Sequence, residues 1–165
     1  MDHLTSAPAL LHAADMPALS CSTVTVAIGT YGEAAWHMLA ETRAIPSARQ
    51  LGVNVVHVHG RNLMDARNRA LAEVDTPWVI HLDSDDELEP DYVDAMANGT
   101  ADVRAPSVRY VHGARWQTPY MPRVAGHTHT CVAECLLKGN WLAIGSAALT
   151  ELVRGVGGWH DYEWG

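Results

Sequence analysis

Apolar positions recur along the chain with two alternating periods, and this alternation predicts the fold class. Every second residue is apolar over residues 24–28, which predicts a strand that ends at Gly29. Apolar runs over residues 53–58 and 78–82 predict two further strands. The last run is nearly all apolar, which is typical of a parallel strand that helices cover on both faces.

The segment between the first two strands has helical periodicity and predicts an amphipathic helix that begins near Glu33. Proline lacks a backbone N–H, so Pro46 is expected to end or kink this helix. The residues predicted to share one face of the helix are Trp36, Leu39, Ala40 and Arg43.

Two more helices are predicted, and each has end signals. Asn62 is the expected N-cap of the first, with Asp65 in the capping-box position. The second is expected to have Pro90 at its first position and Gly99 just past its end. The predicted core stripe of the first helix is Leu63, Ala66, Ala70 and Val74. The order β-α-β-α-β-α predicts an α/β fold with a doubly wound, mostly parallel sheet.

The pattern after Gly99 is less regular. Residues 101–104, 108–111 and 141–144 are predicted as strands, and residues 113–130 as a loop or short hairpin. A short helix capped by Ser146 is expected to turn three apolar residues toward the core before a glycine-rich end. Those three residues are Leu149, Leu152 and Val153.

Composition and charge then narrow the class of protein. The chain has 165 residues, 48% of them apolar, which is enough for one folded domain and excludes disorder of the whole chain. Its net charge of −8 argues against a nucleic-acid partner, because such proteins bind phosphates with clustered cations. No run of about 18 apolar residues is present that would predict a transmembrane segment.

Cysteine usage and the first residues predict where the protein works and where its domain begins. Three cysteines are too few for a disulfide framework, so a reducing, cytoplasmic location is expected. Residues 1–22 are rich in Ala, Pro and Ser and are predicted to be a flexible lead-in. The folded domain is predicted to span residues 23–165.

A block of carboxylates directly follows the third predicted strand, with the sequence Asp-Ser-Asp-Asp-Glu at residues 83–87. The carboxyl ends of strands in an open α/β sheet are where ligands bind. Neighbouring carboxylates repel one another, and a hard divalent ion offsets that repulsion. The residues alone leave a second interpretation open, in which the block is a solvated turn before the next helix.

Four motifs stand in a defined order and together resemble family 2 glycosyltransferases of the GT-A fold. The resemblance spans roughly residues 23–160. The motifs are Val-Ala-Ile-Gly-Thr-Tyr at 26–31, Ala-Arg-Asn-Arg-Ala at 66–70, the acidic block within 79–88 followed by Pro-Asp, and Val-Gly-Gly-Trp at 156–159. The resemblance implies the Rossmann-like sheet of nucleotide-diphospho-sugar transferases. It also implies a hexosyltransferase-like enzyme that moves a sugar from a nucleoside diphosphate to an acceptor hydroxyl with inversion.

The resemblance also implies roles for individual residues. Asp83 and Asp85 match the DXD motif, in which Asp85 would ligate Mn²⁺ or Mg²⁺ and Asp83 would contact the ribose or the metal shell. The positions that would hold the nucleobase are Thr30 and Tyr31, and those that would line the nucleotide pocket are Arg67 and Asn68.

Two departures from the family pattern affect the expected specificity and catalysis. The acid that usually follows the second strand and reads the base is missing, and His59 or the backbone is the expected substitute. The catalytic base usually lies after the Gly-Gly-aromatic motif, so either Asp161 or Glu163 serves, or the base segment lies beyond the end of a truncated chain.

Histidines and aromatic residues outside these motifs leave several interpretations open. His127, His129, Cys131 and Cys135 have spacings that suit zinc, but they also suit an acceptor-side loop or a surface loop. The strand histidines His57, His59 and His81 are expected to be satisfied residues at the core edge rather than ligands. Trp159 is expected either to stack on an acceptor sugar or to fill the core.

Two other functions compete with glycosyl transfer. A truncated chain could be a non-catalytic module that binds a nucleotide-sugar or a glycan. A nucleotidyltransferase would share the sheet and the acidic metal site, but the loop after the first strand, residues 29–33, has no Lys or Arg for phosphates. The acceptor stays open among glycans, proteins and lipid-linked molecules.

Overall fold

The computed structural model describes residues 15–109, 111–112, 115–116 and 144–160. A five-stranded sheet and a separate two-stranded hairpin carry the strands. In chain order, the strands are β1 (Val24–Tyr31), β2 (Asn54–Gly60), β3 (Trp78–Leu82), β4 (Val103–Arg104), β5 (Val111–His112), β6 (Arg115–Trp116) and β7 (Ala147–Leu149). The helices are α1 (Ala34–Leu39), a π-helix (Ala40–Ala44), α2 (Ile45–Arg49), α3 (Leu63–Ala72), α4 (Tyr92–Ala97) and α5 (Thr150–Gly155).

The order of the large sheet is β2-β1-β3-β7-β4. β1 pairs in parallel with both β2 and β3, whereas β7 is antiparallel to β3 and to β4. The predicted mostly parallel α/β sheet is therefore confirmed. Because β1, β2 and β3 point the same way, their carboxyl ends meet at one edge of the sheet.

Apolar side chains cover both faces of this sheet. One core cluster packs α2 and α4 against inward residues of β1 and β3, with Ile28 and Trp78 completely buried. A second cluster packs α3 against the other face, around Ala70 and Val79. All five residues of β3 are buried, which confirms the prediction of a strand covered on both sides.

The first predicted helix differs from its prediction in two ways. It does not end at Pro46, because helical structure continues to Arg49. Just before the proline the chain adopts the π-helix, which is the wider turn that accommodates a disturbed hydrogen-bond ladder. Of the four residues predicted to share one face, Ala40 is buried and Leu39 is partly buried, whereas Trp36 is 43% exposed and Arg43 is exposed. Bonds in a π-helix join residues five apart, and the buried residues that follow are Ala44 and Ile45.

The end signals of α3 and α4 agree with their predictions in part. The Asn62 side chain accepts a hydrogen bond from the Asp65 N–H at 2.7 Å, so the predicted N-cap is confirmed. Pro90 lies before the N-cap Asp91 rather than inside α4. Gly99 does follow α4, but a Cβ there would approach Arg104 Cδ to 2.8 Å, so close approach rather than a left-handed turn requires the glycine.

The last elements correct the prediction for the C-terminal third. Of the strand predicted at 141–144, only Ile144 lies among the described residues, and it is in a turn; a strand that was not predicted forms at Ala147–Leu149. Ser146 does not cap a helix, because α5 begins at Thr150. Leu149 is buried through pairing with Trp78 on β3, and this long-range contact overrides the local helical pattern. None of the described helices is long and apolar enough to cross a membrane.

Candidate functional site

Glycine spacing brings α3 very close to the carboxyl ends of β1 and β2. A Cβ on Gly60 would lie 2.5 Å from the Ala66 nitrogen, and one on Gly29 would lie 3.2 Å from the Arg67 nitrogen. The first turns of α3 therefore rest almost on the strand backbones. This places Arg67 and Asn68 beside the end of β3, where the carboxylate block begins.

The acidic turn, residues 83–87, begins directly after β3. The Asp86 N–H donates to the Asp83 carbonyl oxygen at 3.2 Å, which folds the segment back on itself. Arg67 Nη2 donates to Asp83 Oδ1 at 2.6 Å, while Asp85 is exposed. Burial, together with the negative charges of Asp85 and Asp83, raises the pKa of Asp86 to about 6. Negative charge is thus concentrated at the turn, and Arg67 offsets part of it.

The acidic turn could hold a hard cation only if water and substrate phosphates supplied the rest of its ligands. Across the ranges that the structure describes, no three His, Cys, Asp or Glu side chains converge in a way that could hold a metal ion. Mg²⁺-like ions, however, commonly bind through one or two carboxylates and complete their shell with water and substrate phosphates. The exposed Asp85 and the partly exposed Asp83 provide that kind of donor set.

A second group of side chains, the Trp159 cluster, consists of Trp159, Arg67, Asn68 and His81. The Arg67 guanidinium carbon lies 4.4 Å from the centre of the Trp159 ring. Trp159 Nε1 donates to His81 Nε2 at 3.2 Å, and the two rings meet edge to face at 5.0 Å. Asn68 donates to the Trp159 carbonyl at 2.9 Å and accepts from the Trp159 N–H at 2.8 Å. The indole therefore bridges helix α3 and strand β3.

His81 is a neutral base inside this cluster. Burial, and then the charge of Arg67, lower its pKa to about 4. Since Nε2 accepts from the indole, Nδ1 carries the proton, and this buried atom has no hydrogen-bond partner among the described residues. Within that part of the chain, the expectation of a satisfied residue at the core edge is met at Nε2 of His81 and not at Nδ1.

A third group, the histidine cluster, lies at the ends of β1 and β2 and consists of Thr30, His37, Glu41, His57 and His59. Thr30 Oγ1 lies 3.1 Å from His57 Nε2 and 3.2 Å from His59 Nδ1. The His37 ring stacks on His57 at 4.9 Å, and Glu41 lies 3.5 Å from His57 Nδ1. Burial, and then the nearby His37, lower the pKa of His57.

A model of "Glycosyl transferase family 2" matches residues 26–141 of the chain, which is more than half of it. The chain belongs to glycosyl transferase family 2. Comparisons with curated proteins and with solved structures gave no match. Membership identifies the domain as a glycosyltransferase of the GT-A fold, a family that uses a nucleotide-sugar donor and an acceptor.

The residues predicted from the family pattern fall into all three groups, except Tyr31, which belongs to none; Asp83 and Asp85 lie in the acidic turn. Arg67 and Asp83 are in direct contact, and Asn68 lies beside them in the Trp159 cluster. Thr30 belongs to the histidine cluster and is only 2% exposed, whereas the neighbouring Tyr31 is 42% exposed. The alternatives predicted for catalysis, Asp161 and Glu163, lie outside the described residues. So do the candidate zinc ligands His127, His129, Cys131 and Cys135.

Sequence reasoning missed the contacts of Trp159 with the nucleotide-pocket positions. It treated the side chain as an acceptor platform or as core, yet the indole contacts Arg67 and His81. A local signal existed, because His81 and Asp83 are two apart and an extended chain turns residues at that spacing to the same side. Sequence alone did not show that residue 159 returns to that face.

Proposed function

We propose that this glycosyl transferase family 2 domain binds a nucleoside-diphosphate sugar at the carboxyl edge of β1, β2 and β3. It transfers the sugar, with inversion, to an acceptor hydroxyl. The observation that carries the proposal is the Arg67–Asp83 ion pair, which sets a cation and a carboxylate side by side at the end of a buried parallel strand. Ligands bind at such an edge in open α/β sheets.

Charge supports a divalent ion in the proposed site. The acidic turn would repel a diphosphate, and the chain as a whole carries a net charge of −8. Asp85 and Asp83 are the residues that would hold Mn²⁺ or Mg²⁺ there. When bound, the ion would offset the negative charge that develops on the departing diphosphate. Arg67 supports the same end of the donor, because its guanidinium is a permanent cation.

The other end of the donor is proposed to lie against β1 and β2. The exposed Tyr31 ring offers an aromatic face on which a nucleobase can stack. Thr30, His57 and His59 offer hydrogen-bonding groups in place of the carboxylate that usually reads the base. An acceptor hydroxyl must lose its proton during attack, and Asp161 or Glu163 is proposed as the base.

A cytoplasmic location is proposed on chemical grounds, since three cysteines suit a reducing compartment. The family match favours glycosyl transfer over nucleotidyl transfer.

The test is a thermal-shift panel of UDP, GDP, dTDP and their sugars, each with and without Mn²⁺. A nucleotide at about a hundred times its Kd adds about 2.7 kcal/mol of stability, which is a shift of several degrees. We expect one nucleotide to give an Mn²⁺-dependent shift that Asp85→Asn abolishes. The control variant Asp94→Asn, which changes an exposed carboxylate on α4, should keep the shift.

The outcomes separate the competing functions. A shift followed by release of the nucleoside diphosphate in the presence of acceptors supports a transferase. A shift without turnover supports the non-catalytic binding module. No shift with any nucleotide contradicts the proposed site.

A further inference from the structure

We propose that Trp159 is a positioning residue of the donor site: it fixes the Arg67 guanidinium against the acidic turn, so that docking of residues 156–160 and binding of a diphosphate are coupled. This inference rests on the proposed function. It concerns the last residue of the Gly-Gly-Trp motif, which follows the matched residues 26–141, and for which the family pattern gave no contact with Arg67.

The geometry of Arg67 is the first support. Its side chain is 14% exposed and is held from two directions. Trp159 contacts the guanidinium at 4.4 Å from the ring centre, and Asp83 Oδ1 lies 2.6 Å from Nη2. A guanidinium is planar and has N–H donors in fixed directions, so these two contacts define its orientation. Donors that are already oriented bind a second anion, such as a phosphate, at a lower cost in entropy.

Trp159 is itself held in place by two residues, His81 and Asn68, that make no described contact with the acidic turn. The indole N–H donates to His81 Nε2 on β3, and the Trp159 main chain makes a reciprocal pair of hydrogen bonds with Asn68 on α3. The side chain is thus held by β3 and the main chain by α3. Together these contacts set the height and tilt of the ring beneath Arg67.

Backbone conformation shows that the approach to Asn68 is specific. Gly158 has a φ of +73°, and a Cβ at this position would overlap Asn68 Oδ1. Any side chain at residue 158 would therefore displace the oxygen that accepts the Trp159 N–H. Gly157, with a φ of +87°, makes the preceding turn out of α5. The two glycines deliver the indole to Arg67 in a way that other residues could not.

The coupling can be measured with Trp159→Leu, Trp159→Phe and Gly158→Ala. The probes are UDP, GDP and dTDP, each with Mn²⁺, and Kd is measured by calorimetry beside the melting temperature. Trp159→Leu should raise Kd by about tenfold, because it removes the cation–π contact. Trp159→Phe keeps an aromatic face and should recover most of the affinity. Gly158→Ala should weaken binding in the same direction as Trp159→Leu.

The matched control is Val153→Ala, which removes packing of α5 without a described contact to Arg67. It should lower the melting temperature and leave Kd unchanged. If Trp159→Leu is folded and binds as tightly as the wild type, Trp159 has only a structural role and the inference is overturned while the proposed function stands. If the wild type binds none of the three nucleotides, the proposed function fails and this inference fails with it.

Discussion

The Trp159 cluster and the histidine cluster lie at the same edge of the sheet, but they are built over different distances along the chain. The Trp159 cluster joins α3 and β3 to a segment 91 residues after Asn68. The histidine cluster joins neighbouring strands, with Thr30 contacting residues 27 and 29 positions later. The Trp159 cluster therefore depends on the docking of a distant segment, whereas the contacts of Thr30 in the histidine cluster form once β1 and β2 have paired.

The two clusters also differ in charge. Arg67 lies over the Trp159 ring and pairs with Asp83, whereas the histidine cluster has imidazoles around one hydroxyl, with Glu41 at its edge and a lowered His57 pKa. This difference matches the two ends of the proposed donor. A diphosphate requires charged partners, while a nucleobase presents neutral donors and acceptors.

The largest effect is expected where α3 rests on the strands, because this contact serves both clusters. In Gly60→Ala, the new methyl group would overlap the Ala66 backbone, and we expect a loss of about 3 kcal/mol in unfolding free energy by urea titration. Gly155→Ala is the control, since a Cβ there meets open space and should be neutral or slightly stabilising. Equal stability of the two variants would contradict the described packing of α3.

A pH-dependent effect of similar size separates the two clusters. His81 has a pKa of about 4 when folded and 6.5 as its ordinary value. The contribution of neutral His81 to the free energy of unfolding is therefore complete above pH 6.5. It is lost as the pH falls toward 4, a change of about 3 kcal/mol. His81→Gln should flatten the stability curve in this window more than His57→Gln, because the latter replaces a less buried ring.

Asp86 provides an internal check on that sign. Its pKa is raised to about 6 in the folded protein. The free energy of unfolding that protonated Asp86 contributes is therefore lost as the pH rises from about 4 to 6. It therefore opposes His81 over the same range, and Asp86→Asn should steepen the curve. A curve that His81→Gln leaves unchanged would show that His81 is not the buried neutral base described.

The smallest effect is expected from a single hydroxyl in the histidine cluster. Thr30→Val keeps the shape of the buried side chain but leaves His57 and His59 without their shared partner. We expect a loss of about 1–2 kcal/mol in thermal or urea unfolding. Thr30→Ser restores the hydroxyl and should recover part of the loss. If Thr30→Ser is less stable than Thr30→Val, packing of the methyl group contributes more to stability at this position than the hydrogen bonds do.

The sequence predicted the parallel core well because its signals are local. Alternation in β1, the apolar run of β3 and the Asn62 cap each act within a few residues. The face of the first helix was predicted only in part: Ala40 is buried, but Arg43, inside the π-helix, is exposed because the period changes there. The strand at residues 147–149 was missed because pairing with β3, rather than local propensity, decides it.

For the candidate site, too, the sequence predicted the residues that lie in motifs but not the contacts between distant segments. The resemblance assigned Arg67 and Asn68 to the nucleotide pocket and Asp83 to the ribose or the metal shell, and these roles stay a prediction. The structure places Arg67 in contact with Asp83, and Asn68 in contact with Trp159. The hydrogen bonds of Thr30 to two histidines need the register of β1 against β2, which periodicity alone does not give. The role proposed for Trp159 needs the return of the chain to α3.

The separation between Asn68 and Trp159 also has a consequence for the order of folding. Contacts between distant residues form late, because a long loop must close before they gain energy. During synthesis, β1, α3 and β3 are complete before residue 159 is made, so Arg67 and Asp83 can pair first. The indole arrives last, on a surface that is already assembled, and the proposed donor site matures only when the end of α5 docks.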